Sequence, residues 1–240
     1  MVVHGLLLVD LPGRFVHLEV KRVVLLRHVA FALAGILAAQ DKDVDPVGVF
    51  VVAFVTAFGG GIVRDMIIVN RPMYWTSHPE YIWVTLALAA VAPSIIRRFR
   101  NRHLHTLFVW SDAVGLGVFA AGGTSLSITA GLPALPAVLM GVCTGVFGGL
   151  LRDVFLTRLP MVMSDRLPYA AAAFVGSWLY VGLHAASIPE DTALILASVF
   201  IVAVRMVSWY KGWHIVRYTK NLGEHEHDDT AGTRVGQNRK

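Results

Sequence analysis

The sequence predicts an all-α integral membrane protein. It reads as seven transmembrane helices, two inverted three-helix repeats plus a seventh helix, with broken, Gly-rich second and fifth helices. Three observations lead there. Of 240 residues, 55% are hydrophobic and only 15% charged, too little charge to coat a soluble domain. Seven apolar stretches approach the roughly 20 residues that a bilayer span requires. The pattern GGxxRD occurs twice, at Gly60–Asp65 and Gly148–Asp153, late in the second and fifth of those stretches.

The same numbers exclude other classes. A mean hydropathy of +0.61 is far from that of a disordered chain. One cysteine, Cys143, excludes a disulfide framework and a cysteine-rich metal site. The net charge of +5 fits the cytoplasmic flanks of membrane spans better than nucleic acid, and the basic tail lacks an aromatic-interleaved RNA pattern, so no nucleic-acid partner is expected. No phosphate-binding loop, HExxH pair or nucleophile constellation is present, so an enzyme is not expected.

In chain order, residues 1–22 carry Asp10, Pro12, Arg14 and Glu19 and read as an irregular external N-terminal segment without the form of a signal peptide. The first repeat, residues 23–98, holds spans at Val23–Ala39, Val47–Val69 and Tyr81–Ile96. The second, residues 106–186, holds Leu107–Ser127, Leu135–Leu156 and Tyr169–Ala186. A seventh helix follows within 190–210, and residues 211–240 form a polar cytoplasmic tail. The connections are short and rich in turn formers and charge. Arg97, Arg98, Arg100 and Arg102 share one short loop, and more Lys and Arg lie on its side than on the other. The positive-inside rule then sets the C-terminus in the cytoplasm and the N-terminus outside. Tyr74, Trp75, Tyr81 and Trp83 mark one interface; Trp209, Tyr210 and Trp213 follow the last span.

The repeat is more than a glycine coincidence. With an offset of 88, Thr56 meets Thr144, Gly60 and Gly61 meet Gly148 and Gly149, and Arg64-Asp65 meets Arg152-Asp153. Pro72-Met73 then meets Pro160-Met161. A three-span unit is odd, so the second copy inserts upside down, an architecture that places a permeation or substrate site where the copies meet. Glycine costs a helix about 1 kcal/mol relative to alanine, so the run Gly59-Gly60-Gly61 and the pair Gly148-Gly149 predict a functional break in each helix. Gly141 and Gly145, four residues apart, read instead as a packing seam.

Charge inside a span costs about 2.5–3.5 kcal/mol at the helix centre. Arg64, Asp65, Arg152 and Asp153 therefore need a reason to be there. Two readings stand: they lock span ends together, or they line a pathway and set its field. Asp112, at the expected start of the fourth span, either caps that helix or lines the vestibule. The acidic run Asp41, Asp43, Asp45 imitates a calcium loop but has Pro46 where glycine is needed. The tail Glu224–Asp229 reads as solvated, and His103 and His105 as anchors of a basic loop, so no metal site is expected.

The stretches Ala30–Gly48, Phe58–Asp65, Trp110–Gly123 and Val146–Asp153 carry a resemblance. Over residues 24–210 the chain resembles the prokaryotic TRIC family of trimeric intracellular cation channels, whose bacterial members are also named a glycine transporter domain. The resemblance implies a homotrimer in membrane lipid, one pore per protomer, potassium-permeable, with monovalent cations as the permeant species and no cofactor beyond the permeant potassium or sodium ion. It implies that Gly59, Gly60, Gly61, Gly148 and Gly149 border the pore, with Arg64, Asp65, Arg152 and Asp153 following. The second copy departs from the first in having Phe147 opposite Gly59. The animal members' lipid-binding motif after the first glycine run is replaced by Arg64-Asp65, which does not favour phosphoinositide regulation. The expected function is a potassium-permeable channel of a prokaryotic cytoplasmic (inner) membrane. The alternatives are a secondary transporter or exporter of glycine or another small neutral amino acid, and a membrane scaffold in which the Arg-Asp pairs only lock helices.

Overall fold

The computed structural model of the chain describes residues 11–40, 42–68, 72–96, 101–164 and 169–212, with side chains throughout except at 11–22, 93, 95, 101–102 and 164. The Arg97–Arg102 side chains, the Glu224–Asp229 run and residues 1–10 lie outside this description. Every regular element among the described residues is an α-helix: α1 (Leu11–Ala39), α2 (Pro46–Ile67), α3 (Tyr74–Ser77), α4 (Pro79–Ile96), α5 (Asn101–Thr129), α6 (Ala134–Phe155), α7 (Met161–Ser164), α8 (Tyr169–Ala185) and α9 (Glu190–Lys211). The seven longer helices are the expected spans. The 22 residues of α2, α6 and α9 rise about 33 Å, enough for the hydrocarbon core.

Local sequence explains most boundaries. Asp45 Oδ1 accepts the Gly48 N–H at 2.7 Å and caps α2, with Pro46 in the first turn. α9 stops at Gly212, whose φ of 61° is the left-handed conformation that ends helices. Three boundaries depart from expectation. Residues 11–22 are helical rather than irregular, because Pro12 sits in the first turn and no further proline follows before Pro46. α5 begins at Asn101, so His103 and His105 lie in a helix and Asp112 is a helix-interior residue rather than a cap. The two loops that follow the repeated motif each contain a one-turn helix, α3 and α7.

The packing follows the repeat. α1, α2 and α4 pack on one another, as do α5, α6 and α8, and α2 crosses α6 where the halves meet. The contacts at that crossing come in pairs related by the same offset of 88. A methyl group on Gly60 would strike the Thr144 carbonyl oxygen, and one on Gly148 would strike the Thr56 carbonyl oxygen. Thr56 and Thr144 each donate their hydroxyl to the carbonyl four residues back, Val52 and Met140, at 2.6 Å. Phe31 and Phe119, also 88 apart, stack on each other at 5.0 Å between centroids. α9 lies outside this symmetry, against α5 and α8. Large apolar side chains such as Val47, Trp83, Leu135, Val154 and Val199 remain exposed on the outer faces, as a lipid-facing surface requires.

The break expected in α2 and α6 is absent. Both helices run through their glycines without interruption. The missing side chains serve close approach: only a residue without Cβ lets the two backbones meet at Gly60–Thr144 and Gly148–Thr56.

Candidate functional site at the crossing and its two arginine ends

The site has a waist and two ends. At the waist, Gly60, Gly148, Thr56 and Thr144 are buried, with the Phe31–Phe119 stack beside them. Gly59 faces the Leu151 side chain. Gly61 leaves room beside the Arg64 guanidinium, 3.9 Å from where a Cβ would stand, whereas a Cβ at Gly149 would press on the Tyr169 hydroxyl at 3.1 Å, with the Arg152 guanidinium at 3.6 Å.

At one end Arg64, 3% exposed, donates from Nε (2.9 Å) and Nη2 (2.7 Å) to Oδ1 of Asp65. The other carboxylate oxygen of Asp65 accepts the backbone N–H of Tyr74 at 2.8 Å, at the start of α3. The opposite end repeats the scheme. Arg152 Nε donates to Asp153 Oδ1 at 2.9 Å, and Asp153 Oδ2 accepts the Met161 N–H at 2.8 Å, at the start of α7. Each aspartate thus ties the end of its long helix to the returning turn while holding the neighbouring arginine. Charge-assisted bonds of this kind are the strong ones. The hydrogen bonds show the first of the two readings of the sequence: the pairs lock helix ends.

The two ends differ in what surrounds the arginine. Arg152 is fully buried and also donates from Nη1 to Asp112 Oδ1 at 2.7 Å, an ion pair from α6 to the interior of α5. Its guanidinium lies 4.9 Å from the Phe108 ring centroid, and Arg205 of α9 lies 4.7 Å from that of Tyr169. Position 24, which corresponds to Asp112 in the first half, is valine. That end instead carries Arg27 and His28 from α1, where the second half has Gly115 and Leu116. His28 donates from Nδ1 to the Val24 carbonyl at 2.8 Å and stacks on Tyr81 at 4.7 Å. Arg27 lies 4.8 Å from the Phe119 centroid and 5.2 Å from that of Tyr74. A cavity of about 10 Å³ is lined there by Arg27, His28, Gly61, Arg64, Asp65 and Trp75, among others.

All the residues singled out in the sequence, Gly59–Gly61, Arg64, Asp65, Asp112, Gly148, Gly149, Arg152 and Asp153, therefore lie at this crossing or its two ends. Arg27, His28, Tyr169 and Arg205 were not singled out. Arg27 and Arg205 had a readable signal, since each is a charge within or beside an apolar span. Among the described residues, no group of three His, Cys, Asp or Glu side chains is placed to hold a metal ion.

Two inverted three-helix halves, crossing at glycines and sealed at each end by a buried Arg-Asp pair, define a multi-pass membrane protein built by internal duplication. The chain belongs to the family described as "Glycine transporter", whose model matches residues 24–96 and 109–185, the two halves just described. It is 35% identical over 182 residues to a Vibrio cholerae protein named "UPF0126 membrane protein", covering 75% of each chain. It is 34% identical over 195 residues to the "UPF0126 inner membrane protein YadS" of Escherichia coli K12, covering 81% of this chain and 92% of that one. Among solved structures, it superposes on the TRIC trimeric intracellular cation channel orthologue from Rhodobacter sphaeroides with a TM-score of 0.75 and 30% identity, over 80% of this chain and 97% of that one.

Proposed function

We propose that the protein is a passive, potassium-permeable channel for monovalent cations, a transport protein rather than an enzyme. It works as a homotrimer in the cytoplasmic membrane, with one pore in each protomer, the N-terminus outside and the C-terminus in the cytoplasm. The observation that carries this reading is the likeness to a TRIC cation channel over 97% of that chain, with the duplicated Arg-Asp ends in register.

In this reading the α2–α6 crossing is the constriction and the Arg64 and Arg152 ends are its gates. A bare guanidinium would repel a cation. Asp65 neutralises Arg64, while Asp153 and Asp112 together more than neutralise Arg152. Small rotations of either arginine onto or away from its carboxylates change the local field without moving a helix. Buried pairs in a low-dielectric setting make such a change large. Thr56, Thr144 and the carbonyls beside Gly60 and Gly148 supply the oxygens that a dehydrating cation needs.

A second reading, a secondary transporter for glycine, is favoured by the family's description and by inverted repeats, which also suit alternating access. Proteoliposomes separate the two. Potassium efflux that is electrogenic and does not saturate supports the channel. Saturable uptake of labelled glycine that accelerates with unlabelled glycine on the other side, without potassium flux, supports the transporter and removes the channel reading.

A further inference from the structure

The small cavity at the Arg64 end has an imbalance that permeation does not use. Arg27 is 93% buried (7% exposed), and its Nε has no hydrogen-bond partner. The indole Nε1 of Trp75, a donor only, is likewise buried without a partner. Both residues line the same cavity of about 10 Å³. Among the described residues no carboxylate forms an ion pair with Arg27. Asp65, which also lines the cavity, is held by Arg64 and the Tyr74 N–H, so that pair adds no net charge. His28 already gives its Nδ1 proton to the Val24 carbonyl. Asp191 lines a second cavity, of about 50 Å³, together with Arg27, but forms no ion pair with it. The ring faces of Phe119 and Tyr74 compensate a guanidinium only in part.

Two unpartnered donors, one surplus positive charge and a space for one small occupant describe an acceptor that is itself negative. We propose that this cavity binds a single monatomic anion of the halide class, chloride under ordinary conditions, held by Arg27 Nε and Trp75 Nε1. A space of about 10 Å³ favours a small ion over an amino-acid carboxylate. Bound there, the anion cancels the Arg27 charge at the mouth of the site, so occupancy sets the field that a cation meets at that end. The binding itself does not depend on the channel reading.

The test uses the full-length protein in detergent. Thermal unfolding is followed while sodium chloride or sodium bromide replaces sodium gluconate at constant ionic strength. The wild type gains stability saturably with either halide. Arg27→Gln loses that response. Trp75→Phe keeps the ring but removes one donor, and needs about tenfold more halide, as loss of one hydrogen bond to an ion implies. Trp75→Phe keeps the test alive where Arg27→Gln fails to fold. Crystals grown in bromide place the anomalous peak between the two nitrogens. A wild type indifferent to halide, as with water alone in the cavity, overturns the proposal. So does a response equal in both variants. Neither outcome reads potassium current, so failure here is distinct from failure of the channel reading.

Discussion

Gly60 and Gly148 are not interchangeable with their neighbours, although the sequence writes them as a run. A Cβ at Gly60 meets a backbone carbonyl that cannot swing aside, whereas one at Gly61 has only the Arg64 side chain near it, at 3.9 Å. Gly60→Ala is expected to cost about 1–3 kcal/mol by overpacking. Gly61→Ala is expected to be neutral or slightly stabilising, since alanine is the better helix former. Thermal unfolding of the two variants in one detergent checks the contrast; equal losses would contradict it. The arginines invite a similar comparison. Arg152 bridges two carboxylates on two helices, while Arg64 holds one on its own helix. Removing one partner from a buried pair typically costs about 3–5 kcal/mol. Arg152→Gln is therefore expected to destabilise by about that amount and by more than Arg64→Gln. Adding Asp112→Asn to Arg152→Gln recovers part of the loss, because it removes the stranded charge.

The elements show what a sequence of this kind reveals and what it hides. Spans are legible because composition alone defines them, and α2, α4, α6, α8 and α9 fall within about two residues of their expected ends. The inverted repeat is legible because GGxxRD recurs at one spacing. Helix starts in polar stretches are not legible: the Asn101–Thr106 segment looks like a loop by hydropathy yet extends α5. The one-turn helices α3 and α7 are invisible to any periodicity, being four residues long. Their cause is nonetheless in the motif, since Asp65 and Asp153 reach eight or nine residues ahead to the first amide of each turn. The glycine run is ambiguous on its own, because it predicts both weak helix and close packing. Only the facing helix decides between them. Asp65→Asn and Asp153→Asn keep the shape but weaken these tethers, so amide exchange in residues 74–77 and 161–164 should rise in each variant, respectively, before the long helices are affected. Unchanged exchange would mean that the turns are held by packing alone.

At the scale of the whole molecule, the duplication has diverged where it matters for charge. The first half has Arg27 and His28 where the second has Gly115 and Leu116, and the second has Asp112 where the first has Val24. In the channel reading, and among the described residues, the Arg64 end is the more basic and the Arg152 end more nearly neutral, since Arg152 and Arg205 stand there with Asp112 and Asp153. With gluconate as the anion, so that no halide cancels Arg27, such a gradient predicts rectification: potassium current passes more readily in one direction, and Arg27→Gln reduces the asymmetry. The most direct measurement is a single-channel recording of the purified protein in a planar bilayer under a potassium chloride gradient. A potassium-permeable channel gives discrete openings whose current reverses near the potassium equilibrium potential. Silence at every voltage, or reversal at the chloride equilibrium potential, would contradict it.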